Sequence, residues 1–312
     1  MMTTTMTTTN RNETKGGLVK NFAKGLFSSG AGTLLFIGGM VLSVLLLFYA
    51  GIYLHVEWIE ECLGDMYAFT WMLQRGTFDI DLLGMEAITR LSSFLMISMC
   101  IGYIPTFIYM FFNRKLEGGY GQKVNVKRLI GWMAIFYAAN LVLEILINGL
   151  APLPFFQAAT ADLAAVNLLG TQGNIWLNLL TTGILAPIAE EISLRYMVQK
   201  GMYKVNPTFA IIWASAIFGI MHMNLFQGSF AFIMGLILGI IYYKTGNLWY
   251  TTIIHIVNNS LAVLFTQFGV NGYVAYTIMP IVLFAVWFVM NKREEKKAAL
   301  VETTNKPETL YV

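Results

Sequence analysis

Charge is scarce in this chain. Of its 312 residues only 12% are Asp, Glu, Lys or Arg, where an average soluble protein has roughly 25%. That scarcity excludes a large water-soluble core. A net charge of +3, confined to a few segments between apolar runs, excludes a basic nucleic-acid surface. Cysteine is scarcer still. Cys62 and Cys100 share no CxxC spacing, which excludes a disulfide framework and a thiolate metal centre. Histidine occurs three times, at His55, His222 and His255. No HExxH, nucleophile elbow or Ser-His-Asp signature is present.

What remains is apolar: 57% of residues are hydrophobic, and the mean hydropathy is +0.63. A membrane-spanning helix needs about 20 mostly apolar residues. Such runs lie at 33–54, 88–112, 129–150, 174–198, 207–223, 229–243, 248–268 and 273–291. The expected fold is an all-α polytopic membrane protein with about eight transmembrane helices in one bundle. The last five runs are joined by short turns such as "KVNP", "MNLFQG" and "KTGN" and form a compact unit over 173–291. About three spans fill 31–172. The Thr-rich segment 1–30 reads as disordered; it lacks the short apolar core of a signal peptide. The polar segment 292–312 reads as a flexible tail.

Lys and Arg set the orientation. Arg11, Lys15, Lys20 and Lys24 precede the first run. Arg114, Lys115, Lys123, Lys127 and Arg128 lie between the second and third. Lys200 and Lys204 follow the fourth, Lys244 the sixth, and Lys292, Arg293, Lys296 and Lys297 the eighth. The alternate connections hold only Arg75 in 55–87 and none in 151–173. With eight spans every basic cluster falls on one side, so both termini are expected in the cytoplasm. In the outer loop 55–87, Trp58, Ile59, Cys62, Leu63, Met66, Phe69, Met72 and Leu73 recur at helical spacing. They predict an amphipathic helix lying on the membrane surface or facing water.

Ionisable residues inside a span are costly and point to function. Glu144 lies in the third run; Glu190, Glu191 and Arg195 lie in the fourth. His222 closes the fifth, and His255 shares the seventh with Asn258 and Asn259. Glu191 and Arg195 stand four apart on one helical face, as do His255 and Asn259. Asn258 is the weaker candidate, Glu144 reads as a satisfied polar contact, and His55 sits at an outer interface. A carboxylate with a histidine can deprotonate water, and a histidine with an asparagine can donate to an oxyanion. That combination suits hydrolysis of an amide with water as nucleophile. Glu190, His222 and His255 could instead hold zinc around an open position. A polar network that only locks the bundle, and a proton or ion pathway, are the readings from other classes. A transporter would be expected to show paired inverted repeats, and none is visible.

"EEISLR" (190–195), "FGIMH" (218–222) and "HIVNN" (255–259) resemble the EExxxR, FxxxH and HxxxN motifs of the CPBP family. These are CAAX prenyl protease and bacteriocin-processing (Abi) intramembrane proteases. Each motif alone is weak; the three in order on successive helices are strong. The resemblance covers about 174–268. It implies an intramembrane endopeptidase acting on a hydrophobic or membrane-tethered peptide, with its cavity toward the cytoplasm. Glu190 would be the general base, acting with His222. His255 and Asn259 would form the oxyanion site, and Glu191 and Arg195 would support the first glutamate. No cofactor is required by this reading, though zinc is compatible with it. The implied partners are the peptide and the lipid bilayer, with no nucleic acid; the implied location is the plasma membrane. Leu194 stands where the family often has Phe, which alters packing rather than chemistry. A non-catalytic immunity or scaffold protein keeping the fold is the alternative.

Overall fold

A computed structural model describes residues 15–54, 56–75, 84–113, 119–150, 152–154, 157 and 173–304. His55, Arg114 and Lys115 lie outside them, as do the side chains of Phe69 and Leu73. The described residues are helical and include no strand.

The first rod consists of α1 (Lys15–Thr33) and α2 (Gly39–Tyr53), joined by π-helical turns at Leu34–Gly38. α3 (Glu57–Gln74) follows, then α4 (Met85–Gly102) and α5 (Ile104–Asn113), then α6 (Val126–Leu150). The fourth rod is α7 (Ile175–Asn178), α8 (Ala186–Glu191) and α9 (Lys200–Met202), joined by π-helical turns at Leu179–Leu185 and Ile192–Gln199. α10 (Pro207–Met221), α11 (Leu225–Thr245), α12 (Leu248–Gln267) and α13 (Gly272–Thr304) complete the chain.

Six helical stretches are long and apolar enough to cross a membrane: Val19–Tyr49, Met85–Asn113, Val126–Leu150, Ile175–Met202, Leu225–Thr245 and Leu248–Gln267. Two of the eight expected spans are not among them. α10 has 15 residues, about 22 Å of helix against a ~30 Å hydrocarbon layer. The eighth run lies inside α13, which has 33 residues and continues through Pro280 into the polar tail.

Two segments expected to be irregular are helical. Residues 15–30 belong to α1, and 292–304 extend α13. The cause in α1 is a stripe of small residues. A β-carbon at Gly25 would meet the Met202 sulfur at 2.3 Å, and one at Gly32 would meet Met197 Cβ at 2.9 Å. Ser28 donates to the Met197 carbonyl at 2.8 Å, and the Trp213 indole donates to Ser29 at 2.7 Å. The stripe lets α1 lie backbone-close against the fourth rod.

Turn chemistry fixes the unit 173–267. Asn206 caps α10 with Pro207 as its first residue. Asn224 caps α11 after Met223, whose φ is +53°. Gly246 ends α11 at φ +60°, a left-handed conformation that favours glycine, and Asn247 caps α12. α10 and α11 touch through glycine: a β-carbon at Gly228 would meet the Gly219 carbonyl oxygen at 2.6 Å. Gly235 and Gly239 likewise pack inside the bundle, against Ser215 and against Gln199 and Ile211.

The expected helix in the 55–87 loop is α3, and its apolar face packs on protein. Ile59 and Cys62 are buried against Phe94 of α4 with Val44, Leu47 and Phe48 of α2. Arg90 pins this corner, reaching Asp65 at 2.9 Å, Glu86 at 3.0 Å and Glu61 at 3.6 Å.

Candidate active site

The fourth rod, α10 and α12 bring the motif residues together. Glu190, His222, His255 and Asn259 all line one cavity of about 490 Å³. α10 ends at Met221 and His222 is its C-terminal cap, at the cavity wall. Glu144 is not among the lining residues.

Glu191 and Arg195 lie behind the wall, and both are 0% exposed. Arg195 Nε donates to Glu191 Oε2 at 3.2 Å. The other carboxylate oxygen, Oε1, lies 3.0 Å from His255 Nδ1. Glu191 therefore reaches across to α12, where sequence spacing alone had paired it only along its own helix. A carboxylate held beside a guanidinium accepts hydrogen bonds, so His255 Nδ1 carries the proton. His255 Nε2 is then directed at the cavity, 3.5 Å from Glu190 Oε2.

The second histidine is fixed by backbone. His222 Nδ1 lies 2.8 Å from the Phe218 carbonyl. A carbonyl only accepts, so Nδ1 is the donor and Nε2 keeps its lone pair. Phe218 separates the two imidazoles. Its ring meets His222 edge-on at 4.8 Å and His255 at 5.7 Å, with the Arg195 guanidinium 5.9 Å from its centroid.

Asn259 is oriented by a run of amides that begins outside the motifs. Its Nδ2 donates to the Thr182 carbonyl at 3.3 Å, which fixes Oδ1 on the other side. Asn258 Nδ2 donates to that oxygen at 3.3 Å, and Asn140 Nδ2 of α6 donates to Asn258 Oδ1 at 3.3 Å. The Thr182 carbonyl sets the direction of the whole run, because it cannot donate. One N–H of Asn259 remains for the cavity. Asn258 thus belongs to the wall, and Asn140, which is fully buried, was not anticipated. Its only sequence signal was an amide in an apolar run. Close approach of the fourth rod to α12 permits the arrangement: a β-carbon at Gly183 would meet Ser260 Oγ at 2.9 Å.

Apart from Thr182, Gln227 and Asn258 the rest of the cavity is apolar; α11 lends Phe226, Phe230, Met234 and Leu238, and the earlier helices supply much of the remaining wall. Phe36 and Met40 belong to the first rod, Tyr103 closes α4, and Phe136 is on α6. Among the described residues no three His, Cys, Asp or Glu side chains converge with metal-holding geometry. Glu190 and His255 meet, whereas His222 contacts the Phe218 carbonyl.

Residues 172–261 match the family model "Type II CAAX prenyl endopeptidase Rce1-like". The match spans all three motifs and the helices that carry them. No curated protein and no solved structure matches the chain.

Proposed function

We propose that this protein is an intramembrane endopeptidase that hydrolyses a peptide bond with water activated by Glu190 and His222. The observation that carries the reading is the convergence of Glu190, His222, His255 and Asn259 on one cavity inside the segment matched by a protease family. Glu190 accepts a proton from water while His222 Nε2 accepts the water's other hydrogen. The water oxygen adds to the scissile carbonyl. His255, protonated on both nitrogens in this role, and Asn259 Nδ2 donate to the developing oxyanion. Glu190 returns its proton to the leaving amine as the carbon–nitrogen bond breaks. Glu191 and Arg195 are positioning residues, holding the His255 ring through Nδ1.

The substrate class is a hydrophobic or membrane-tethered peptide, of the CAAX prenyl type that the family description names. The apolar wall of Phe36, Met40, Tyr103 and Phe136 suits such a chain. We assign α10 and the apolar part of α13 as the fifth and eighth spans. Both termini and the cavity mouth then face the cytoplasm, in the plasma membrane.

The test is cleavage of a fluorogenic membrane-peptide library by purified protein in bilayer discs. Wild type is expected to cleave with or without a chelator. Glu190→Ala and His222→Ala, folded by thermal melt, are expected to be inactive. Chelator-sensitive activity restored by zinc would move the mechanism to metal hydrolysis. A silent wild type whose cellular role survives both substitutions would sink the protease reading in favour of a non-catalytic membrane partner.

A further inference from the structure

Near the N-terminal end of α12, two concavities share lining residues. The first, about 580 Å³, is polar and cationic: Lys123, Lys127 and Arg128 line it, with a single acid, Glu294. The second, about 350 Å³, is an apolar groove between α6 and α13 walled by Trp132, Ile135 and Phe284. Arg128 and Trp287 line both. The groove is therefore continuous with the cationic pocket.

The polar end is built rather than incidental. Arg128 Nη2 donates to the Lys244 carbonyl at 2.8 Å, and its guanidinium stands 5.8 Å from the Tyr250 ring centroid. Tyr250 in turn accepts from the Asn125 backbone at 3.0 Å. Lys127 pairs with Glu294; among the described residues that line the pocket no other acid faces Lys123 and Arg128. Nearby, Lys292 and Glu295 pair with each other. At the apolar end Gly131 keeps the groove open, because a β-carbon there would meet the Trp287 indole nitrogen at 3.0 Å. A tryptophan beside basic residues at the end of an apolar helix marks the level of lipid headgroups.

We propose that these two concavities form one binding site for an anionic glycerophospholipid, with the phosphate headgroup at Lys123 and Arg128 and an acyl chain in the α6–α13 groove. Charge complementarity selects the headgroup. The adjoining apolar groove selects a molecule carrying hydrocarbon over free phosphate. The site is separate from the peptidase chemistry and does not depend on it.

The experiment is native mass spectrometry of full-length protein extracted from discs of phosphatidylglycerol or phosphatidylcholine, alongside melting curves with inorganic phosphate or short-chain phosphatidylglycerol. Wild type is expected to retain long-chain phosphatidylglycerol over phosphatidylcholine. The double variant Lys123→Gln/Arg128→Gln is expected to lose that retention roughly thirtyfold, two charges at the scale of basic residues beside an anionic surface. A second double variant, Lys204→Gln/Arg293→Gln, makes the same charge change at exposed positions outside the pocket and is expected to behave as wild type. Equal retention of the two lipids, or equal loss in both double variants, would overturn the site. Stabilisation by inorganic phosphate equal to that by short-chain phosphatidylglycerol would overturn the lipid assignment. Should Lys123→Gln/Arg128→Gln fail to fold, Lys123→Gln alone, at a side chain with no bond to hold the fold, decides the same question.

Discussion

Arg195 carries a full charge at 0% exposure, and among the described residues its Nη1 and Nη2 have no hydrogen-bond partner. It is held through Nε alone, by Glu191. Removing one partner of a buried ion pair leaves the other charge uncompensated, at a cost of about 3–5 kcal/mol. Arg195→Met is therefore expected to lower the melting temperature sharply, whereas Glu190→Gln, at the cavity wall, is expected to melt near wild type; scanning calorimetry in discs distinguishes the two. Asn258 offers a finer test. If it orients Asn259, Asn258→Ala lowers kcat between about 10- and 100-fold with KM unchanged, a loss typical of misplaced catalytic groups. A merely structural role would move the melting temperature and leave the kinetics alone. Cys62 gives a pH prediction. Burial, with Asp65 beside it, pushes its thiol up to about 11. The folded state then holds this proton more tightly than the unfolded chain does. The associated stability is complete below the ordinary thiol value of 9.0 and is lost as pH rises through about 11. At pH 8 alkylation of Cys62 is expected to be slow in the folded protein and fast after denaturation, as read by mass spectrometry. The polar residues that line the cavity stood out in the sequence because their types are rare in apolar runs. The partner of Glu191 was not legible, because local spacing names neighbours on one helix and says nothing of the helix packed against it.

At the scale of elements, glycine spacing sets how closely helices approach. The α10–α11 contact is backbone on backbone at Gly219 and Gly228, three residues before His222. Gly228→Val is expected to push the pair apart, lowering both melting temperature and activity. Gly38→Ala is the control, since a β-carbon there meets nothing within 4 Å. Most helices could be read from hydropathy, and their ends from Asn206, Asn224, Gly246 and Asn247. α1 was missed for a physical reason: its buried face is made of Gly25, Ser28, Ser29 and Gly32, which recur at helical spacing but do not score as apolar. The same residues pack well because they are small. α3 was legible as an amphipathic helix, but the pattern cannot distinguish a lipid surface from α2 and α4 as the partner of its apolar face.

The cavity extends beyond the matched segment. Phe36, Met40, Met99, Tyr103 and Phe136 all come from before residue 172, and Asn140 begins the amide run that ends at Asn259. A fragment limited to 172–261 keeps every motif residue yet loses one wall. It is expected to show no cleavage even where circular dichroism finds it helical, and co-expression with residues 1–171 is expected to restore activity. The matched segment holds the motif residues, and the apolar lining is shared between the N-terminal helices and Phe226, Phe230, Met234 and Leu238 of α11. Topology is also a property of the whole chain. Single cysteines near either end are expected to label only from the cytoplasmic side, and labelling from opposite sides would remove one of the eight assigned spans.

The Glu191–Arg195 pair also bears on how the protein is made. The two charges sit four residues apart on one rod, so they can neutralise each other before any later helix has emerged from the ribosome. Each unpaired charge at mid-membrane costs about 2.5–3.5 kcal/mol on insertion scales. A pair carried within a single helix spares the translocon that expense, whereas a partner on α12 would arrive too late. His255 joins Glu191 only once the bundle closes. Membrane insertion and the buried contact behind the cavity thus use the same arginine at different times.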